Sequence, residues 1–306
     1  MKEPQLSIVI PTYNRLTTLK TVLEWFGFQS FPMDQFEVIV VDSFSSDGTE
    51  QFMQKFSPPY SLRYIRQINK GRPGARNRGI QEAQSEIIVF SDADIIPEKN
   101  FLQCHFDFHQ KHQDSAAVGW ESRIDSLDEL EAARNSPNTR FRIHKPNPKK
   151  LSWLYFLTGN ASVPKNKLLK VGLFDESFQG YGFEDLELGY RLWKSGITIR
   201  YLPEAVNYHL HPRNLENQYE VQEMAGKNAV YFYQKHRDWR IRWLLGMSPP
   251  AFFWYSLVHK FSFLRRYLET EAEKKYNFPR EVMVQYHYLT GVKKAWKNKT
   301  AQSLES

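Results

Sequence analysis

The feature that most constrains this chain is the alternation, through its N-terminal third, of short apolar strands with helical segments. Leu6-Ser7-Ile8-Val9-Ile10 is rich in β-branched residues and stops at Pro11. Leu16, Leu19, Val22, Leu23 and Phe26 then recur at helical spacing, with Asn14 placed to cap them. Glu37 to Val41 predicts a second strand. Ser46-Asp47-Gly48-Thr49 opens a second helix, with Asp47 as its cap and Phe52 and Phe56 on one face. Leu62 to Ile65 predicts a third strand. Pro73-Gly74-Ala75-Arg76 opens a third helix with proline in its first turn. Glu86 to Phe90 predicts a fourth strand, ending at Ser91-Asp92. Such an order requires βαβ units and a mostly parallel sheet covered on both faces. Ligands of such sheets bind outside the carboxyl ends of the strands, so polar groups there come first.

Further along, Asp125 to Lys150 is polar, carries Pro137, Pro146 and Pro148, and reads as an excursion or loop. Order resumes at Trp153 to Val163. A helix is expected from about Phe183 to Lys194, and strand-like pieces at Ile197 to Tyr201 and Val206 to Leu210. Beyond Arg213 the chain is helical, basic and aromatic. Two domains are expected, a catalytic one over 1–212 and a helical extension over 213–306. With 41% apolar and 15% aromatic residues the chain can bury a sizeable core.

A net charge of +7 favours anionic partners: nucleotide diphosphates, nucleic acid or an anionic membrane. No recognition-helix or RNA-binding signature is present, so nucleic acid is set aside. The single cysteine, Cys104, forbids an intrachain disulfide and suits a reducing compartment. Met1-Lys2-Glu3-Pro4 runs straight into a strand pattern with no visible signal peptide, and apolar runs such as Ala251 to Val258 are too short to span a bilayer. The expected location is cytoplasmic, with peripheral contact to the inner face of a membrane. Trp239, Arg240, Arg242, Trp243, Phe253, Trp254, Arg265 and Arg266 mix aromatics with cations as an interfacial surface does. The alternative is a helical subdomain whose aromatics fill its own core.

Five constellations carry chemistry. Asp92-Ala93-Asp94 follows the apolar strand Ile87 to Phe90. Two carboxylates there suit a hard divalent cation that keeps positions open for phosphates, or else form a turn. Asp42 ends another strand and can accept hydrogen bonds from a base N–H or ribose hydroxyls. Gly71-Arg72-Pro73-Gly74-Ala75-Arg76-Asn77-Arg78-Gly79 offers close backbone approach and a helix start to an anion, or is a tight turn into a surface helix. It is not a Walker loop, and no Gly-x-Gly-x-x-Gly follows the first strand. Gly180-Tyr181-Gly182-Phe183-Glu184-Asp185 leads glycines and aromatics into carboxylates. They either complement a helix dipole or supply a general base beside a bound sugar. His209-Leu210-His211 can add an imidazole to an oxygen-ligated metal, or simply packs.

Taken in order from about Leu6 to Pro212, these segments resemble family-2 glycosyltransferases of the GT-A fold. Val9-Ile10-Pro11-Thr12-Tyr13-Asn14-Arg15 is similar to that family's first strand and nucleotide loop. Val40-Val41-Asp42 with Asp47-Gly48-Thr49 is similar to the second nucleotide segment and Gly74 to Gly79 to the third. Asp92-Ala93-Asp94 is similar to the metal motif. Gly180 to Asp185, with His209 downstream, also resembles galactosyltransferases and chondroitin-polymerase-type domains. The resemblance implies an α/β GT-A fold: a mostly parallel, Rossmann-like sheet flanked by helices, with a helical C-terminal extension. It implies an inverting, metal-dependent hexosyltransferase of glycan or polysaccharide biosynthesis, using Mn2+ or Mg2+. That enzyme moves a sugar from a nucleotide-sugar, UDP being favoured, to the hydroxyl of a glycan or lipid-linked acceptor.

Roles follow by resemblance. Pro11, Thr12, Tyr13, Arg15, Asp42, Arg76, Asp92 and Ala93 line the nucleotide, with Thr12, Tyr13 and Asp42 at base and ribose. Asp94 ligates the metal, with His209 or in its place His211. Asp185 is the base, and Glu184 binds sugar or acceptor hydroxyls. Gly159, Asn160, Gly180, Tyr181 and Gly182 lie on the sugar and acceptor side. One departure is Asp42-Ser43-Phe44, where many relatives carry a second acid. The competing readings are a nucleotidyltransferase and a non-catalytic nucleotide- or carbohydrate-binding module on the same fold.

Overall fold

The computed structural model describes residues 3–135, 150–210, 218–274 and 278–302. The chain runs through β1 (Leu6–Thr12), α1 (Leu16–Phe26), β2 (Phe36–Asp42), α2 (Thr49–Met53), β3 (Ser61–Arg66), α3 (Gly71–Glu82) and β4 (Ile87–Phe90). Next come β5 (Ile95–Pro97), α4 (Phe101–Lys111), β6 (Ser115–Ile124), α5 (Leu130–Asn135), β7 (Ala161–Pro164), α6 (Lys165–Val171), α7 (Glu184–Lys194) and β8 (Thr198–Leu210). Helices α8 (Gln218–His236), α9 (Trp239–Leu244), α10 (Pro249–Lys260), α11 (Ser262–Lys274) and α12 (Phe278–Gln302) complete it.

One eight-stranded sheet has the order β3-β2-β1-β4-β7-β6-β8-β5. Its β3-β2-β1-β4 half is parallel, as the alternation of strands and helices requires. Every residue of β1 and β2 is buried, which explains their unbroken apolar runs. Leu6, Ile8 and Ile10 pack with Leu19, Val22, Leu23 and Phe26 of α1 in the core. On α3, a Cβ at Gly79 would collide with Val9, so glycine lets that helix lie directly on β1. The other half is mixed: β7 is antiparallel to β4 and β6, β8 is parallel to β6, and β5 is antiparallel to β8.

Several local expectations change. Asn14 does not cap α1; it takes φ 51°, and its Oδ1 accepts from Ser46 N at 2.8 Å. Asp47 does that work from across the loop, accepting from Leu16 N at 2.8 Å while holding Thr49 N and Oγ1 at the start of α2. Burial opposes the charge on Asp47, but these bonds hold its carboxyl below the usual range. Helix α3 begins two residues earlier than Pro73. The strand pieces expected around 197–201 and 206–210 are one strand, β8, whose register with β6 shifts so that 203–205 bulge out. Of the expected excursion, 127–135 is a short 3-10 turn and α5, whereas Pro137, Pro146 and Pro148 lie outside the described residues.

The chain forms two compact bodies, one of 1–176 with 184–213, the other of 177–183 with 214–306. The segment 177–183 belongs with the C-terminal helices because Asn228 on α8 donates to the carbonyls of Gln179, Tyr181 and Gly182. Phe178 also packs on Tyr231, and Phe183 on Tyr288. Within this body α8 and α12 meet backbone to backbone, since a Cβ at Gly226 or Gly291 would strike the opposite helix. Its aromatics divide: Tyr255, Tyr286 and Tyr288 are buried, and Trp239, Trp243, Phe253, Trp254 and Phe263 are exposed. No helix among the described residues is long and apolar enough to cross a membrane.

Under β7 lies a buried imidazole network. Asn160 Nδ2 donates to Trp120 O and Ala205 O, which turns its Oδ1 toward His105 Nε2 at 3.1 Å. His105 therefore carries its proton on Nε2, and its Nδ1 accepts from Ser162 Oγ at 2.8 Å. Ser162 Oγ in turn accepts from His109 Nε2 at 2.8 Å. Burial pushes His105 down to about 3, with repulsion from His109 adding to it. Burial, helped by His112, pushes His109 down to about 4. Both folded values lie below the unfolded one, so the unfolded chain binds the extra protons. Stability is then full above about pH 6.5 and falls as the pH drops toward about 4. Urea unfolding between these limits should show uptake approaching two protons, and a His105→Gln/His109→Gln double variant should flatten the slope. Equal slopes would contradict the network.

Candidate active site

The expected chemistry gathers at the carboxyl ends of β1, β2 and β4. β4 ends before Asp92, and β5 starts immediately after Asp94. β5 pairs antiparallel with β8 in a register that sets Ile95 opposite His209, and Leu210 N donates to Asp94 O at 2.8 Å. That pairing brings His209 Nε2 to 3.5 Å from Asp94 Oδ2. On the other side of β8, Arg123 of β6 lies opposite His209, and Glu121, two residues back, puts Oε1 3.3 Å from His209 Nδ1. A Cβ at Gly159 would collide with Glu121 Oε2, so the glycine there makes room for this carboxylate.

Burial works against protonating His209, but its bonds to Asp94 and Glu121 outweigh this and hold the imidazolium up to about 9. Burial likewise opposes the charge on Asp94. His209, Arg15 and Arg72 overcome it and hold that carboxyl below its usual range. The donor set fits a divalent cation. Two ligands at about 2.0–2.2 Å from a metal sit roughly 3 Å apart, close to the separation here. A carboxylate on the second ring nitrogen fixes the tautomer of a ligating histidine. Among the described residues no third His, Cys, Asp or Glu joins the pair, so water and phosphate would supply the other positions. His211 lies outside the described residues.

Asp92 faces the other way. Its Oδ1 accepts from Arg76 Nη2 at 2.8 Å, and Arg76 Nη1 reaches Glu184 Oε1 at 3.3 Å. Arg76 is buried, and its guanidinium lies 5.5 Å from the Phe174 ring centroid. Burial would lower its pKa, but Asp92, Glu184 and Asp185 keep it charged. It is thus a bridge between β4 and α7 rather than an exposed phosphate contact. Asp185, in the first turn of α7, is half-buried, with Oδ1 2.9 Å from Leu186 N.

Other expected residues have different surroundings. Tyr13 and Arg15 are exposed at the end of β1, and Pro11, Thr12 and Ala93 are buried. Asp42 is fully buried: Ser45 N and Oγ occupy Oδ1 at 3.0 and 2.6 Å, and Tyr64 OH occupies Oδ2 at 2.6 Å. It shapes the loop after β2 and presents no oxygen to a ribose in this conformation. Asn160 is committed to the bulge of β8 and to His105, so its side chain faces the interior and not a sugar. Gly180 and Gly182 take φ 74° and 91° in the second body, and a Cβ at Gly180 would meet Met224 Sδ at 2.6 Å. Backbone geometry and packing on α8 account for these glycines. Tyr181 is exposed beside them. Glu121 was not expected, and Arg72 was expected only as part of the anion-binding segment. The signal for Glu121 was a lone acid within the strand sequence Ser115–Ile124.

A parallel half-sheet, an Asp-x-Asp at its carboxyl edge and a carboxylate-led helix beyond it define a GT-A-type fold. The model of glycosyl transferase family 2 matches residues 7–177, and that of the N-terminal domain of galactosyltransferase matches 140–222. The chain belongs to glycosyl transferase family 2. It is 30% identical over 271 residues to chondroitin synthase of Escherichia coli, covering 75% of this chain and 39% of that protein. It is 30% identical over 229 residues to validoxylamine A glucosyltransferase of Streptomyces hygroscopicus subsp. jinggangensis, covering 64% and 53%. The chain therefore spans about two fifths and about half of these two relatives. Among solved structures, mannosyltransferase PcManGT of Pyrobaculum calidifontis superposes with TM-score 0.68 at 18% identity, over 98% of this chain and 89% of that one. S. aureus TarS 1-349 does so with TM-score 0.56 at 22% identity, over 74% and 65%. Both likenesses concern the fold.

Proposed function

We propose that this chain is an inverting, divalent-metal-dependent glycosyltransferase that moves a sugar from a nucleotide-sugar, a UDP-sugar in the favoured case, onto an acceptor hydroxyl of a glycan. The observation that carries this reading is the buried Arg76, bonded at once to Asp92 beyond β4 and Glu184 at the start of α7. It ties the Asp-x-Asp segment to the residue next to Asp185. Among the fold neighbours, TarS has been solved with UDP-GlcNAc, and PcManGT with GDP-Man and Mn2+.

In this mechanism Asp94 and His209 would hold the cation, Glu121 would keep the imidazole oriented, and Arg15 and Arg72 would add positive charge around the diphosphate. The chemistry a divalent ion would supply at these residues is neutralisation of charge on the nucleotide leaving group. Asp185 accepts the proton of the acceptor hydroxyl as its oxygen attacks the anomeric carbon from the face opposite the leaving group, so one displacement inverts the centre. Glu184 stays with Arg76 and fixes the start of α7. Peripheral contact with an anionic membrane, for a lipid-linked or membrane-proximal acceptor, is part of the same proposal. It is supported by the exposed Trp239, Trp243, Phe253 and Trp254, with Arg240 and Arg242 among them.

Two outcomes are expected. Asp185→Asn should lower turnover by roughly 10²- to 10⁴-fold while calorimetry finds Mn2+-dependent nucleoside diphosphate binding intact; near-native turnover would remove Asp185 as the base. The protein should pellet with vesicles containing anionic lipid at low salt and be released at high salt, and failure to pellet would remove the membrane contact.

A further inference from the structure

Phe44 lies two residues beyond Asp42, at the carboxyl end of β2, and its ring is left outside the core. Its backbone has φ 67°, a left-handed conformation that an aromatic L-residue rarely adopts. The side chain is 59% exposed. The left-handed backbone and the exposed ring both work against stability, which marks the residue for a role beyond packing.

Its surroundings are rigid. Ser43 N donates to Thr12 O at 2.9 Å, Asn14 N donates to Ser45 Oγ at 2.8 Å, and Ser46 N donates to Asn14 Oδ1 at 2.8 Å. These bonds join the loop after β2 to the loop after β1, where Tyr13 is 52% exposed. The Arg66 guanidinium lies 3.9 Å from the Phe44 ring centroid and is itself held by Glu50 at 2.8 Å. One face of the ring is thus covered by a fixed cation, and enough of the rest remains open to receive a flat partner. The partner this arrangement suits is an aromatic heterocycle, because a base can stack on the open face and needs no hydrogen-bond donor there.

We propose that Phe44, backed by Arg66, is a stacking platform for the donor's nucleobase and sets the preference for a nucleotide over a base-free phosphate. This rests on the nucleotide-sugar reading of the site. Asp42, with both oxygens taken, builds the loop that carries the platform, and recognition of the base passes from a carboxylate to a ring.

The test is calorimetry of the full chain with Mn2+ and UDP, GDP, TDP and CDP, and with pyrophosphate as the base-free probe. Phe44→Gly should melt higher than wild type, since glycine relieves the left-handed strain. It should bind the preferred nucleoside diphosphate about 5- to 100-fold more weakly and pyrophosphate unchanged. Phe44→Tyr should restore nucleotide affinity. Wild-type affinity in both Phe44→Gly and Phe44→Ala overturns the platform while leaving the nucleotide-sugar reading intact. So does unchanged affinity with a shift in sedimentation, which would assign the ring to a contact between copies. If wild-type protein binds none of the four nucleotides, both readings fall together.

Discussion

A buried guanidinium between two carboxylates is the interaction on which the rest of the site depends. Arg76 has no solvent to fall back on, and removing one partner of such an arrangement costs about 3–5 kcal/mol because a buried charge is left uncompensated. The cost is what makes the bridge rigid. Asp92 sits past the end of β4, and Glu184 opens α7, so both elements are referred to one side chain on α3. Helix α3 is in turn set against β1 by the missing side chain at Gly79. The two ends of the proposed reaction, leaving group and attacking hydroxyl, thus share one rigid frame.

A second dependency runs through strand pairing. His209 reaches Asp94 only because β5 pairs with β8 in one register, and Glu121 reaches His209 only because β6 pairs with β8 in another. A slip of one residue in either would turn the histidine or the glutamate to the opposite face. The bulge at 203–205 lets both registers coexist, and Asn160 secures it by donating to Ala205 O. The imidazole network beneath Asn160 therefore supports the bulge through Asn160.

The parallel half of the sheet was legible because β1 to β4 are short, apolar and each followed by turn or helix signals. Asp94, His209 and Asp185 stood out as candidates because they lie at or next to element ends. The mixed half was legible only in part: β8 showed as two strand pieces, whereas β5 and β7 are three and four residues long, too short to carry a period. Glu121 was missed with β6. Asp42, Asn160, Gly180 and Gly182 show the opposite limit. A polar residue or glycine at a strand end or helix start has the same appearance whether it meets a ligand or serves the backbone, and only its hydrogen-bond partners separate the cases. For Asp42 these are Ser45 and Tyr64, and for Asn160 they are two carbonyls and His105.

The most direct test of the proposed site is a crystal structure with a nucleoside diphosphate and Mn2+, with the metal located by its anomalous signal. Mn2+ should be ligated by Asp94 and His209 Nε2, with Glu121 on His209 Nδ1, diphosphate oxygens completing the coordination, and Arg76 still bridging Asp92 and Glu184. Manganese bound without Asp94, or a nucleotide lodged away from the carboxyl ends of β1, β2 and β4, would contradict the proposed site.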